Sequence, residues 1–221
     1  MEWTLPNILT VFRTLAAPLV LIVFLVLKHP YSDFVALGLF IAASLTDYLD
    51  GYLARKWKQI SSFGTMLDPI ADKAMVIIAI ATLIGLFGLD WRIALPGSVI
   101  LLREVFVSGL REFLGDNADK IKVTKLAKWK TATQMTAIGV LLSFGLFQHY
   151  FGMAQLGMNP EIANDVLNGT LEDAVGLRWK YTGYIWSFWA GIVLFWIAAG
   201  LTLISGLDYL RKAMPFFKEA L

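Results

Sequence analysis

Four aspartates carry the chemical interest of this chain. Asp47 and Asp50 stand three residues apart after the apolar run from Phe34 to Leu45, and Asp68 and Asp72 stand four apart just before the run from Met75 to Leu86. At helical spacing each pair shares one face, with Gly51 and Ala54 on the stripe of the first pair. The roughly ten residues between the two helices make them antiparallel neighbours, so the two carboxylate pairs are expected to face each other near one membrane surface. An ionised carboxylate inside a membrane helix costs about 3 kcal/mol even on a lenient insertion scale. Four together need relief. Protonation would supply it, but a hard divalent cation fits better: Mg²⁺ or Mn²⁺ takes carboxylate oxygens and keeps positions open for phosphate. Two such ions about 3.5–4 Å apart form a clamp for phosphoryl transfer. Gly51 and Gly64 permit close backbone approach, and Arg55 offers a guanidinium to a diphosphate. Acids at helix ends also cap helices or simply face water. Four on two facing stripes, with glycines and an arginine beside them, favour the metal site.

The elements that must position these residues are membrane helices. The chain has 221 residues, 57% hydrophobic and only 16% charged, with a mean hydropathy of +0.65. Soluble domains carry about 25% charged residues, so soluble and disordered classes are excluded. Six helices are expected, over about 7–28, 33–57, 67–89, 91–114, 127–150 and 180–210, after a short amphipathic start holding Trp3 and Pro6. Together they form a single all-α integral membrane domain. Residues 151–179 read as a loop outside the membrane with room for one short helix. Fifteen of the nineteen Lys and Arg fall on one side and four (Lys28, Arg92, Arg178, Lys180) on the other, which puts both termini in the cytoplasm. The start Met1-Glu2-Trp3 lacks a positive leader, and Arg13 interrupts the first apolar run, so no cleaved signal peptide is expected. The absence of cysteine excludes disulfides and thiolate chemistry, and a formal charge of +2 gives no case for nucleic-acid binding.

The segment Asp47-Tyr48-Leu49-Asp50-Gly51-Tyr52-Leu53-Ala54-Arg55, followed by Gly64 and then Asp68 and Asp72, spells D-x-x-D-G-x-x-A-R-x(8)-G-x-x-x-D-x-x-x-D. This resembles the signature of the CDP-alcohol phosphatidyltransferase family at every fixed position. The resemblance implies a six-helix fold, a homodimer, and transfer of a phosphatidyl group from a CDP-linked lipid to an alcohol with release of CMP. It implies that Asp47, Asp50 and Asp68 ligate metal, and that Asp72 is the general base, in or next to the metal shell. Asp50, Gly51, Ala54, Arg55 and Gly64 would hold the cytidine and diphosphate. Three further blocks resemble bacterial phosphatidylglycerophosphate synthases: Asn7 to Arg13 with Pro18, Arg103 to Phe113, and Lys125 to Thr131 with Gln134 and Met135. That branch implies CDP-diacylglycerol as donor, sn-glycerol 3-phosphate as acceptor, and a bacterial inner membrane with the active site at its cytoplasmic face.

The basic residues have a physical rationale in that setting. A small dianion needs cations; Arg103 and Arg111 lie eight apart on roughly one helix face, and guanidinium groups grip phosphate bidentately. Lys130 adds point charge, with Lys125 and Lys128 as weaker candidates that positive-inside bias explains equally well. Arg103 has a competing reading as the partner of Glu104 or Glu112. Asn7 and Arg13 either snorkel and cap at the end of the first helix or line the lipid headgroup site. Two alternatives stay open: another family member such as a phosphatidylinositol-phosphate synthase, and a cation or proton transporter using the aspartates as a relay. The transporter reading predicts charge spread through the membrane depth, whereas these charges gather at one end.

Overall fold

The computed structural model describes residues 4–57, 61–115 and 125–219, and within them the side chains outside 47–55, 125–128 and 218–219. The described residues are helical, with no strand among them. In chain order the helices are α1 (Leu5–Val26), α2 (Tyr31–Trp57), α3 (Ser62–Phe87), α4 (Trp91–Leu114), α5 (Lys125–Gln155), the short α6 (Pro160–Asn168) and α7 (Leu177–Glu219). Five of these are long and apolar enough to cross a membrane: α1, α3, α4, most of α5 and most of α7. In α2 the described apolar stretch, Tyr31–Thr46, is shorter; the remaining turns of that helix carry the first half of the aspartate signature.

Helix boundaries differ from the sequence expectation in informative ways. α3 starts at Ser62, five residues before the expected 67, so Asp68 and Asp72 lie inside the helix rather than opening it. Pro69 sits eight residues into α3, past the first turn, so the Thr65 carbonyl loses its i→i−4 donor there. α7 runs for 43 residues, well beyond the expected 180–210, and its polar ends project past the apolar stretch. Loop 151–179 does contain one short helix, α6. Asn159 caps it by accepting the Glu161 N–H at 3.0 Å, and Gly169, at φ +86°, ends it in the left-handed conformation that glycine adopts without strain.

The chain divides into two compact units. The first comprises Met1–Thr82 and Gly139–Gly191. In it α1 packs on α2, with Ala16, Ala17, Val20 and Val23 forming one buried stripe and Ala36, Phe40 and Ala43 another. Small residues on such stripes let helix backbones approach, which drives association where lipid removes the ordinary hydrophobic force. α5 and α7 also come close in this unit: a Cβ on Gly191 would lie 2.6 Å from Leu141 Cδ2. The second unit comprises Leu83–Ile138 and Ile192–Leu221. Its buried cluster joins Val107, Leu110 and Leu114 of α4 to Tyr209 and Ala213 of α7.

The start of α7 is fixed by an acid outside the apolar segments. Asp173 accepts the Arg178 N–H at 3.0 Å and the Leu177 N–H at 2.6 Å. Those donors, the Arg178 amide foremost, hold its carboxyl below the usual aspartate range. A depressed carboxylate contributes its cap wherever it is ionised, and loses it only as pH falls through the lowered value. Asp173→Ala should therefore speed amide exchange at Leu177 and Arg178 at neutral pH without changing α4, and in the native protein the same protection should persist at pH 5 and fade only in stronger acid.

Candidate active site

The polar end of α1 is built from residues spaced by three: Asn7, Thr10 and Arg13 are buried on one face and continue, toward the membrane interior, into the apolar stripe of Ala16, Ala17 and Val20. This face engages α3. Arg13 Nη1 donates to Asp72 Oδ1 at 2.5 Å, and its Nη2 lies 3.6 Å from Asp68 Oδ1. Thr10 Oγ1 donates to the same Asp68 oxygen at 2.7 Å. The guanidinium is 2% exposed, whereas Asp68 and Asp72 are 48% and 54% exposed. A buried cation thus anchors two carboxylates that are themselves about half exposed. Arg13 is a member of this cluster, and the snorkelling alternative for it is excluded by its burial.

Gly64 takes part in a contact between α1 and the start of α3. Ser61 Oγ donates to Asn7 Oδ1 at 2.7 Å and accepts the Gly64 N–H at 3.0 Å. A Cβ on Gly64 would stand 2.8 Å from Asn7 Oδ1 and 3.2 Å from Ser61 Oγ. The glycine makes room for the link between α1 and the start of α3. Asp47, Asp50, Gly51, Ala54 and Arg55 lie on α2, but their side chains fall outside the described residues, as do those of Lys125 and Lys128 on α5.

A second polar cluster occupies the other unit. Arg103 of α4 contacts Glu104 Oε1 through Nη1 at 3.3 Å and donates through Nη2 to Ser205 Oγ of α7 at 3.3 Å. Lys130 of α5 donates to the same Glu104 oxygen. Arg111 lies over the Tyr209 ring, 5.5 Å from its centroid. Arg103 and Lys130 are each within electrostatic reach of Arg111. Sequence reasoning paired Arg103 with Glu104 as a competing reading; the pair exists, and the same carboxylate serves Lys130, so two cations share that acid, with Arg111 nearby. Gly206 lets Arg103 lie across α7, since a Cβ there would come 3.1 Å from its Cγ.

Thr10, Ser61, Ser205 and Tyr209 were given no site role by the sequence reading. Thr10 had a usable signal, because it falls midway between Asn7 and Arg13 at helical spacing. The α7 residues had none, since nothing in the sequence says which face of a 43-residue helix meets α4.

The model of the CDP-alcohol phosphatidyltransferase family matches residues 3–159. The chain belongs to that family. Among curated relatives, the CDP-diacylglycerol–glycerol-3-phosphate 3-phosphatidyltransferase of Cereibacter sphaeroides is 51% identical over 219 residues, covering 99% of both chains. Proteins of the same name from Haemophilus influenzae and Escherichia coli are 35% and 33% identical, each over 96% of this chain. The family match covers α1 to α5 and therefore the whole of the aspartate signature and both clusters, apart from the α7 residues.

The Gly64–Asn7 contact gives a direct test of how this phosphatidyltransferase ties α1 to α3. Gly64→Ala should destabilise the protein by about 1–2 kcal/mol, as a small overpacking at a buried polar link does. Asn7→Ala should recover part of that loss, so a double-mutant cycle read by thermal unfolding in detergent should show coupling above about 0.5 kcal/mol.

Proposed function

We propose that this protein transfers the phosphatidyl group of CDP-diacylglycerol to the 1-hydroxyl of sn-glycerol 3-phosphate, giving phosphatidylglycerophosphate and CMP. The near-complete alignment with a relative of that name carries the reading, and the two charge clusters supply the chemistry it needs. The sixth span is α2, completed by its signature turns. Charge bias then places both termini and both clusters at the cytoplasmic face of a bacterial inner membrane, and the family resemblance supports a homodimer.

The donor set suits a hard divalent cation. Asp68 and Asp72 present partly exposed carboxylates on one face, and Asp68 Oδ2 has no partner among the described residues. Asp47, Asp50, Asp68 and Asp72 would hold Mg²⁺ or Mn²⁺, in a two-ion arrangement. When bound, such ions would neutralise the charge of the diphosphate and of the departing CMP. Arg13 keeps Asp68 and Asp72 aligned, and Gly51, Ala54 and Arg55 line the cytidine diphosphate. Asp72 takes the proton of the acceptor hydroxyl. The acceptor oxygen then bonds to the phosphatidyl phosphorus as the phosphorus–oxygen bond to CMP breaks. Arg103, Arg111 and Lys130 bind the acceptor phosphate: a dianion meets three cations whose charge Glu104 only partly offsets. Most of the rate arises from positioning and charge stabilisation.

The test is CMP release from CDP-diacylglycerol by the purified protein across a panel of acceptors, with Mg²⁺ and with EDTA. Release should require glycerol 3-phosphate and metal together. Release with inositol phosphate alone would move the protein to another branch of the family, and activity that survives EDTA would remove the metal. Asp72→Asn should keep CDP-diacylglycerol binding while turnover falls by about 10²-fold or more; equal turnover would refute the base assignment. Arg103→Ala should raise the KM for glycerol 3-phosphate while leaving that for the lipid near its original value.

A further inference from the structure

The loop between α5 and α7 takes no part in either charge cluster, yet it is folded and tied down. Ala163 and Val166 of α6 are buried with Leu177, and Phe151, Ala154, Met158 and Leu167 pack against them. Arg178 binds the loop to the first turn of α7: its Nε donates to the Val166 carbonyl at 2.8 Å and its Nη2 to the Leu171 carbonyl at 3.0 Å. Lys180 Nζ donates to the Val175 carbonyl at 2.7 Å and lies 5.7 Å from the centroid of the Trp179 ring. Leu171, Val175 and Trp179 are thereby gathered around the start of one helix.

What this loop leaves outside is apolar. Leu156, Ile162, Leu171, Val175 and Trp179 all stand exposed, Leu156 the most at 78%. Large apolar groups exposed together mark an interaction surface. Position says what covers it. The apolar part of α5 reaches Gln155 and that of α7 begins at Leu177, so the loop lies at the membrane surface where the two spans end. A tryptophan ring settles at headgroup level there, and a lysine lays its stem along apolar groups with its charge toward water. Charge says which lipid. Glu161, Asp165, Glu172 and Asp173 outnumber Arg178 and Lys180, and both cations already donate to carbonyls of the loop. Anionic headgroups are therefore not the attraction. Burial of the apolar groups is.

We propose that the α6 loop is a membrane-surface anchor: Ile162, Leu171, Val175 and Trp179 enter the headgroup–acyl boundary of zwitterionic phospholipid and hold the adjoining ends of α5 and α7 at a fixed depth. The anchor requires nothing of the acceptor or the metal and stands apart from the reaction. The other occupant of an exposed apolar face is a second copy of the chain. The excess of acids opposes it, since like charges brought face to face repel.

The experiment uses the full-length protein in phosphatidylcholine nanodiscs. The chain has no cysteine, so a single introduced one carries a nitroxide label without background. Ile162→Cys, Leu171→Cys and Val175→Cys label the surface at three points, so one that misfolds leaves two. Asn164→Cys is the control: it is exposed and, two residues from Ile162, lies across α6 from it. Unchanged thermal unfolding shows that a labelled variant is folded. Power saturation is read with oxygen, which partitions into lipid, and with a nickel chelate, which stays in water. The labels at 162, 171 and 175 should meet oxygen far more than nickel, at a depth of about 5–10 Å into the boundary, while the label at 164 meets nickel. Neither added anionic lipid nor high salt should move them. Labels that all meet nickel alike would overturn the anchor. Labels at 162 and 175 shielded from both probes and broadened by a second spin would identify a second copy as the occupant and overturn it too. Insertion seen only with anionic lipid would put charge in control and refute the proposal as stated.

Discussion

A charge taken below the membrane surface must meet its opposite there, and the rest of this structure follows from how Arg13 does so. Its guanidinium is 2% exposed and reaches Asp72 at 2.5 Å. Left alone, that cation would cost several kcal/mol at membrane depth; removed, it would leave two carboxylates repelling each other. Its position fixes the facing of α1, since the same three-residue spacing carries Asn7 and Thr10 onto Ser61 and Asp68. The apolar stripe beyond, Ala16 to Val23, is then turned inward by the helical repeat. One ion pair thus sets the orientation of a helix whose remaining contacts are small and apolar.

The two units handle charge in opposite ways. In the first, the buried Arg13 holds carboxylates that stay half-exposed. In the second, Arg103, Arg111 and Lys130 share the neighbourhood of Glu104, and the surplus is positive. Each cluster is incomplete by itself, and each is incomplete in the sense that its proposed ligand would repair: metal and diphosphate for the first, a phosphorylated polyol for the second. Neutralisation within each cluster would have given a more stable protein and an inert one.

Much of this was legible in the sequence. The apolar runs located α1, α3, α4, α5 and α7, because about 20 apolar residues without charge have few structural options. The aspartate signature marked out Asp68 and Asp72, which the structure brings together beside Arg13. Boundaries were less legible: α3 begins five residues early because Ser62, Phe63 and Gly64 are neither apolar enough nor polar enough to mark an edge. Partners across helices were the least legible. Arg13 looked ambiguous because a lone arginine near a helix end has the same pattern whether it snorkels or pairs. Nothing in the sequence placed the Tyr209 ring under Arg111. Pairing of this kind depends on helix rotation, which apolar periodicity specifies only loosely in a helix that is apolar all round.

The central claim is that the carboxylates gathered by Arg13 exist to hold a divalent cation. Titration of Mn²⁺ into purified protein, followed by the loss of the free-ion electron paramagnetic resonance signal, tests it without reference to turnover. The account predicts saturable Mn²⁺ binding that Mg²⁺ displaces and that Asp68→Asn abolishes or weakens strongly while the protein stays folded. Binding of equal strength in Asp68→Asn, or none in the native protein with CDP-diacylglycerol present, would contradict it.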